Sequence, residues 1–211
     1  MVLNRYRDKL SSWMDPPARI FEKVSPNTLS VISLMFAIGA FTALVLISEA
    51  MALLIAATCI ILNGFFDALD GRVAKLSGKA TPRGDLVDHV IDRLADFFIL
   101  SGISLSGFTD VRIGLLALGS VLIASYMGTQ SQALGLKRDY GGILGRAERI
   151  LLTMVFLLVS YAILEISGSY MLAIGDFSLS ILDVMLLLFI LLSVITILQR
   201  FARIWRALGT A

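Results

Sequence analysis

Four aspartates set into apolar sequence constrain this chain more than any other feature. Between residues 67 and 92 the sequence reads D-A-L-D-G-R-V-A-K-L-S-G-K-A-T-P-R-G-D-L-V-D-H-V-I-D. Asp67 and Asp70 stand three residues apart, and Asp88 and Asp92 stand four apart, so on a helix each pair shares one face. A carboxylate near the centre of a bilayer costs roughly 2.5–3.5 kcal/mol on the insertion scale, so such residues are retained for function. Four together repel one another unless cations neutralise them. Two divalent ions would balance the four charges.

The flanking sequence is membrane-like. Of the 211 residues, 57% are hydrophobic and 16% charged, and the mean hydropathy is +0.86, well above the soluble range. Long apolar runs produce the excess, as expected for one membrane domain. The single cysteine, Cys59, lies inside such a run, which excludes an intrachain disulfide framework and a cysteine metal site. Residues 1–23 are too polar to supply the apolar core of a cleavable signal peptide.

The expected fold is an all-α integral membrane protein, with six transmembrane helices preceded by an interfacial amphipathic helix. Residues 1–24 form the interfacial segment and residues 25–211 the six-helix catalytic domain. In the first segment Leu3, Leu10, Trp13, Met14, Ile20 and Phe21 alternate with charges, and Pro16-Pro17 redirects the chain. Ser25 and Pro26 suit a helix cap and first turn. Six spans of about 20 residues are expected near 27–47, 50–75, 84–106, 111–134, 147–167 and 180–204. Polar loops fall at 76–83, 135–146 and 168–179, the last containing Asp176.

Every Lys and Arg except Arg112 falls at the chain ends, in the second-to-third or fourth-to-fifth connection, or close beside them. By the positive-inside rule both termini are cytoplasmic. The aspartates then lie at the cytoplasmic side, at the end of the second helix and the start of the third.

Oxygen-only ligands suit hard cations such as Mg²⁺, Mn²⁺ or Ca²⁺. The lone histidine, His89, cannot build a typical zinc site and is read as a packing or supporting residue. Gly71 and Ala74 leave one helix face small, so a ligand can approach the backbone. Lys75, Lys79 and Arg83 stand nearby. Together these features point to metal-assisted phosphate or pyrophosphate chemistry at the cytoplasmic surface. Three other readings compete: local ion pairing at a helix–loop boundary, a purely structural scaffold, and a divalent-cation transporter or channel. A transport path should place polar residues at successive depths, whereas these acids crowd one end of two helices.

The spacing D-x2-D-G-x2-A-R-x8-G-x3-D-x3-D marks the CDP-alcohol phosphotransferases, membrane enzymes of phospholipid synthesis, and this chain resembles that family. Asp67, Asp70, Gly71, Ala74, Gly84, Asp88 and Asp92 match, while Lys75 replaces the pattern's arginine. Lysine keeps the charge but loses the planar fork. The resemblance implies that Asp67, Asp70, Asp88 and Asp92 hold two Mg²⁺ or Mn²⁺ ions against the pyrophosphate of a CDP-linked lipid. It further implies that Asp92 is the general base for an acceptor hydroxyl, that Gly71, Ala74, Lys75 and Thr81 lie near the CDP moiety, that CMP is released, and that the protein is a homodimer.

Members that use inositol phosphate resemble S-Y-x-K/R-A-R-A-E, followed by R-P-E-R. Here the first segment runs Ser125-Tyr126-Met127-Gly128-Thr129-Gln130-Ser131-Gln132, and the second Arg146-Ala147-Glu148-Arg149. Gly128, Gln130 and Gln132 depart from the pattern, while both arginines remain. Ser125, Arg146, Arg149, Arg200 and Arg203 are therefore the acceptor-phosphate candidates, since arginine favours bidentate phosphate contacts. Replacement of two cations by Gly128 and Gln130 weakens the match to inositol-phosphate users; the expected acceptor is a polyol phosphate such as inositol or glycerol phosphate, with an uncharged alcohol such as serine or inositol the alternative. The Gly-Arg-Ala-Glu-Arg wording resembles archaeal members, which implies CDP-archaeol as donor, with CDP-diacylglycerol the alternative.

Overall fold

The structure, a computed structural model, describes residues 13–137, 139, 141–174 and 177–209. Among these, seven helices and one hairpin follow in order: α1 (Asp15–Ile20), α2 (Pro26–Leu46), α3 (Met51–Leu76), α4 (Pro82–Leu105), α5 (Val111–Ala133), α6 (Arg146–Ser167), β1 (Met171–Ile174), β2 (Phe177–Ser180) and α7 (Ile181–Gly209). The expected amphipathic residues Leu3 and Leu10, the basic residue Arg138, and Asp176 fall outside the described residues.

The helix boundaries have local causes. Pro26 and Pro82 occupy first-turn positions, where a missing N–H costs nothing. Thr81 caps α4 by accepting from Gly84 N at 3.1 Å. Ser25 occupies the cap position of α2, but its side chain makes no capping bond, contrary to expectation. Gly168, at φ +69°, ends α6 in the left-handed conformation. At the start of α7, Ser180 Oγ accepts from Asp183 N at 2.8 Å and Asp183 Oδ2 accepts from Ser180 N at 2.9 Å. This reciprocal cap also ties in α5, because Asp183 Oδ1 accepts from Asp110 N at 2.8 Å.

The connection expected as a loop at 168–179 is instead an antiparallel hairpin, with Leu172 opposite Leu179. Two short apolar runs flank Gly175-Asp176 in the sequence, a pairing signal of the hairpin kind.

This is a helical integral membrane protein. Helices α2, α3, α5, α6 and α7 are long and apolar enough to cross a membrane. Helix α4 is equally long, at 24 residues, but Arg83, Asp85, Asp88, Asp92, Arg93 and Asp96 load its first two-thirds with charge. The expected six spans thus correspond to six long helices, five of them span-like in composition. Large apolar side chains such as Met35, Leu116, Ile123, Leu191 and Leu198 face outward, as a lipid-facing surface requires.

Small residues bring the helices together. Ala37, Ala40, Ala52, Ala56, Ala57 and Ala95 are fully buried in the main core. Gly102 of α4 lies so close to α2 that a Cβ there would sit 2.9 Å from Phe41 Cα. Asn63 Nδ2 of α3 donates to Ser33 O and Ser33 Oγ of α2, at 2.9 and 2.8 Å. Helix α2 packs on α3 and α4, α3 on α6, and α5 on α7.

Helix α1 docks on the charged end of α3. Arg72 Nε donates to Asp15 Oδ1, a bond that holds the Asp15 carboxyl below its ordinary 3.8. Ala18 packs with Leu29, Leu69 and Val73, while Trp13 is 82% exposed.

Gly102→Val forces atoms into the α2 backbone. Its expected cost is about 1–3 kcal/mol, read as a lower thermal unfolding midpoint in detergent; an unchanged midpoint would contradict this packing.

Candidate active site

Helix α3 ends and helix α4 begins at the same end of the bundle, and Asp70, Asp88 and Asp92 project into shared space there. Asp70, Asp88 and Asp92 line a cavity of about 500 Å³ together with Gly71, Ala74, Lys75, Lys79 and Thr81, and with Ser25, Asn27 and Ser30 from the start of α2. Ser30 Oγ donates to Asp70 Oδ2. Asp70 is only 4% exposed, so this bond offsets part of its desolvation. A Cβ built on Gly71 meets nothing within 4 Å. Gly71 therefore does not serve helix packing; it leaves the cavity wall bare.

Among the described residues, ligand atoms of Asp88, His89 and Asp92 lie within 4.8 Å of one another. His89 Nδ1 is 3.6 Å from Asp88 Oδ2, and Nε2 is 3.4 Å from Asp85 Oδ1. The histidine read as a supporting residue therefore stands beside the acids at ligand distance, and the neighbour in sequence was the signal for it.

Asp67 does not line that cavity; its side chain lies beside that of Asp92, and Arg146 bridges the two. Arg146 Nη2 donates to Asp67 Oδ1 at 3.3 Å, and Nη1 to the Asp92 carbonyl at 2.6 Å. Its Nε is 3.0 Å from Asp92 Oδ1, and its Nη1 is 3.5 Å from Asp96 Oδ1. One guanidinium thus faces three carboxylates. Arg93 adds a cation 3.3 Å from Asp92 Oδ2.

Behind Arg146 a second cavity, of about 150 Å³, is lined by Asp92, Arg93, Ser125, Gly128, Asp139, Arg146, Arg149 and Arg200. Four of the five acceptor candidates, Ser125, Arg146, Arg149 and Arg200, come together here. The fifth does not: Arg203 Nε donates to Asp139 Oδ2 at 2.8 Å, and Arg203 lines a separate surface depression with Ser131 and Lys137. One turn of helix carries it past the cavity.

Gly128 explains a departure seen in the sequence. A Cβ there would lie 3.2 Å from Arg200 Nη1. The missing side chain leaves room for the Arg200 guanidinium, which donates through Nε to Gly141 O at 2.8 Å and through Nη1 to Ala124 O. A cation from α7 thus reaches the place where the pattern has a cation on α5.

Asp92 lines both cavities. Asp96, Asn27, Ser30 and Asp139 were missed in the sequence. Asp96 had a signal, since it continues the four-residue spacing of Asp88 and Asp92; the others needed the tertiary fold.

The chain matches the family described as CDP-alcohol phosphatidyltransferase over residues 23–197. It is 36% identical over 163 residues to an archaetidylinositol phosphate synthase of Methanothermobacter thermautotrophicus, covering 77% of this chain and 80% of that protein. A phosphatidylinositol phosphate synthase of Corynebacterium glutamicum is 31% identical over 151 residues, 67% of each chain. Among solved structures, the phosphatidylinositol phosphate synthase of Mycobacterium tuberculosis with CDP-DAG bound superposes with a TM-score of 0.69, covering 91% of this chain and 93% of that one at 22% identity. The same enzyme with manganese and citrate gives 0.67 over 91% and 88% of the two chains. At that identity the likeness shows the shared fold.

Gly71→Leu is expected to leave the unfolding midpoint within about 1 kcal/mol of wild type, because the site is open. The same change should fill the larger cavity and reduce turnover of a CDP-linked lipid at least tenfold. A variant with wild-type turnover would remove that cavity from the reaction.

Proposed function

The chain belongs to the CDP-alcohol phosphatidyltransferase family, and from that premise we propose that it transfers an archaetidyl or phosphatidyl group from a CDP-linked lipid to inositol phosphate. The observation that carries this reading is the position of Asp92 on the boundary between two chemically different cavities. The larger is acidic, lined by small residues and edged with lysines. The smaller is lined with arginines. A pyrophosphate donor held by metal suits the first, and an acceptor bearing its own phosphate suits the second. An archaeal relative at 36% identity, named as an archaetidylinositol phosphate synthase, favours CDP-archaeol and inositol phosphate over other pairs.

The donor set fits hard divalent metal. Asp67, Asp70, Asp88 and Asp92 supply carboxylate oxygens, as Mg²⁺ and Mn²⁺ prefer, and the approach of Asp88 and Asp92 ligand atoms supports a shared site. Two ions balance the four charges. When bound, they would neutralise charge on the donor pyrophosphate and on the developing CMP phosphate.

The protein's own groups account for the rest. Arg146, Arg149 and Arg200 hold the acceptor phosphate and so fix where its hydroxyl can sit. Asp92 takes the proton from that hydroxyl. The hydroxyl oxygen bonds to the phosphorus that carries the lipid alcohol, and the bond from that phosphorus to the CMP phosphate oxygen breaks. CMP leaves with the electron pair. Gly71 and Ala74 keep the α3 face low enough for CDP to lie along it, with Lys75 and Thr81 at its edge. Asp70 stays in place because Ser30 holds it.

In this reading residues 1–24 form the interfacial segment, residues 25–211 the catalytic domain, and α4 the sixth span. Both ends and the active site face the cytoplasm, as the lysine and arginine distribution supports, and the protein works as a homodimer. A cation transporter gains no support from acids confined to one end of α3 and α4.

The test is CMP release by purified protein in detergent, with CDP-archaeol or CDP-diacylglycerol, a panel of alcohols and polyol phosphates, and Mg²⁺, Mn²⁺ or chelator. Metal-dependent release that requires inositol phosphate is the expected result; release with an uncharged alcohol alone would overturn the acceptor assignment. Asp92→Asn should lower kcat by 10²-fold or more while donor binding persists. Asp67→Asn should shift the Mg²⁺ titration to higher concentration, and an unchanged titration would remove Asp67 from the ligand set. Arg200→Gln should raise the acceptor KM with little change in the donor KM.

A further inference from the structure

We propose that Asp96 is a positioning residue for the acceptor, setting the guanidinium groups of Arg146 and Arg149 from behind the arginine-lined cavity. The inference rests on the reading above that this cavity holds a phosphate-bearing acceptor.

Asp96 lies one helical turn beyond Asp92 on α4 and is 6% exposed. Its Oδ2 accepts from Arg149 Nη2 at 2.5 Å, and its Oδ1 is 3.5 Å from Arg146 Nη1. Each carboxylate oxygen therefore faces a different arginine. Those arginines sit three apart on α6, on one face of the helix, and both line the smaller cavity. Asp96 does not line it. It bounds a small void on the other side, with Ile60, Ile99, Thr153 and Phe189. It therefore reaches a ligand through the arginines and not directly.

Two buried guanidinium groups at that spacing repel, and a bound phosphate is normally what offsets them. Among the described residues, Asp96 is the carboxylate within 4 Å of Arg149. Arg149 Nε is buried with no hydrogen-bond partner, so Asp96 is the anchor that fixes this side chain's direction. Arg146 has two further carboxylates in reach, Asp67 and Asp92. Without Asp96, Arg146 is drawn wholly onto those two, and Arg149 loses its anchor. The cavity keeps its charge but loses the arrangement that matches a phosphate. Because removing one partner of a buried ion pair leaves the other charge uncompensated, a neutral isostere cannot substitute for Asp96 opposite Arg149.

The experiment compares wild type with Asp96→Asn, Asp96→Glu and the charge-deleted pair Asp96→Asn/Arg149→Gln. Each is read by thermal unfolding with and without inositol 1-phosphate, and separately with and without CDP-diacylglycerol plus Mn²⁺. Stabilisation by a ligand reports its binding directly, and each variant serves as its own baseline. In Asp96→Asn the shift given by inositol 1-phosphate should disappear while that given by the CDP-lipid remains. Where turnover is measurable, the acceptor KM should rise tenfold or more and the donor KM stay within twofold. Asp96→Glu should recover part of the acceptor shift. The double variant should regain unfolding temperature over Asp96→Asn, which assigns the lost stability of the single variant to an uncompensated Arg149 and leaves the acceptor shift of Asp96→Asn and Asp96→Glu to report positioning. Loss of both ligand shifts in parallel, or a normal acceptor shift in either Asn variant, would overturn the proposal. If wild type itself shows no shift with inositol 1-phosphate, the acceptor reading fails; inorganic phosphate then replaces it as the probe, and an equal response of wild type and Asp96→Asn to phosphate overturns the positioning role.

Discussion

The architecture depends on holding five carboxylates close together on two helices, two of them buried. Asp67 and Asp70 come from α3, and Asp88, Asp92 and Asp96 from α4. Asp70 and Asp96 are buried, and an unpaired buried charge costs several kcal/mol. The fold supplies partners of three kinds: Arg146 and Arg149 from α6, the Ser30 hydroxyl from α2, and space for metal beside Asp70, Asp88 and Asp92. Helix α6 thereby acquires its position. It packs on α3 and α7, and its first turn brings two arginines to the acids of α4, while its later turns are free to be apolar.

The same constraint divides the site. Arg146 stands as a partition, one side facing the acids and the other facing Arg149 and Arg200. A metal-held pyrophosphate and an arginine-held phosphate repel each other strongly if nothing lies between them. Asp92 lines both cavities, and in the proposed reading the reacting hydroxyl and phosphorus would meet there. A single geometric fact, the sharing of Asp92 by two cavities, gives a reason for both its burial and its place at the end of the motif.

Much of this was legible in the sequence because membranes and helices impose strict periodicities. The apolar runs located all six long helices to within about two residues at most ends, and the i, i+3 and i, i+4 spacing of the acids put them on facing surfaces. Gly71 was legible as a bare helix face. Tertiary choices were not legible. Nothing local distinguishes Arg200, which turns into the cavity, from Arg203, which turns to Asp139. The loss of a cation at Gly128 looked like loss of acceptor affinity, yet the space it leaves is taken by Arg200 from a helix some seventy residues on. The hairpin at β1 and β2 had a sequence signal in the two short apolar runs flanking Gly175-Asp176, but runs of four residues carry too little period to fix them as strands.

The central claim is that both substrates occupy their cavities at once and react directly across Asp92. The most direct test is exchange of labelled CMP into the CDP-linked lipid by the metal-loaded protein without acceptor. A direct displacement predicts no exchange until inositol phosphate is present, since no lipid-phosphoryl group is ever held on the protein. Rapid exchange without acceptor would mean that a side chain takes up the lipid-phosphoryl group first, and would contradict the two-cavity account.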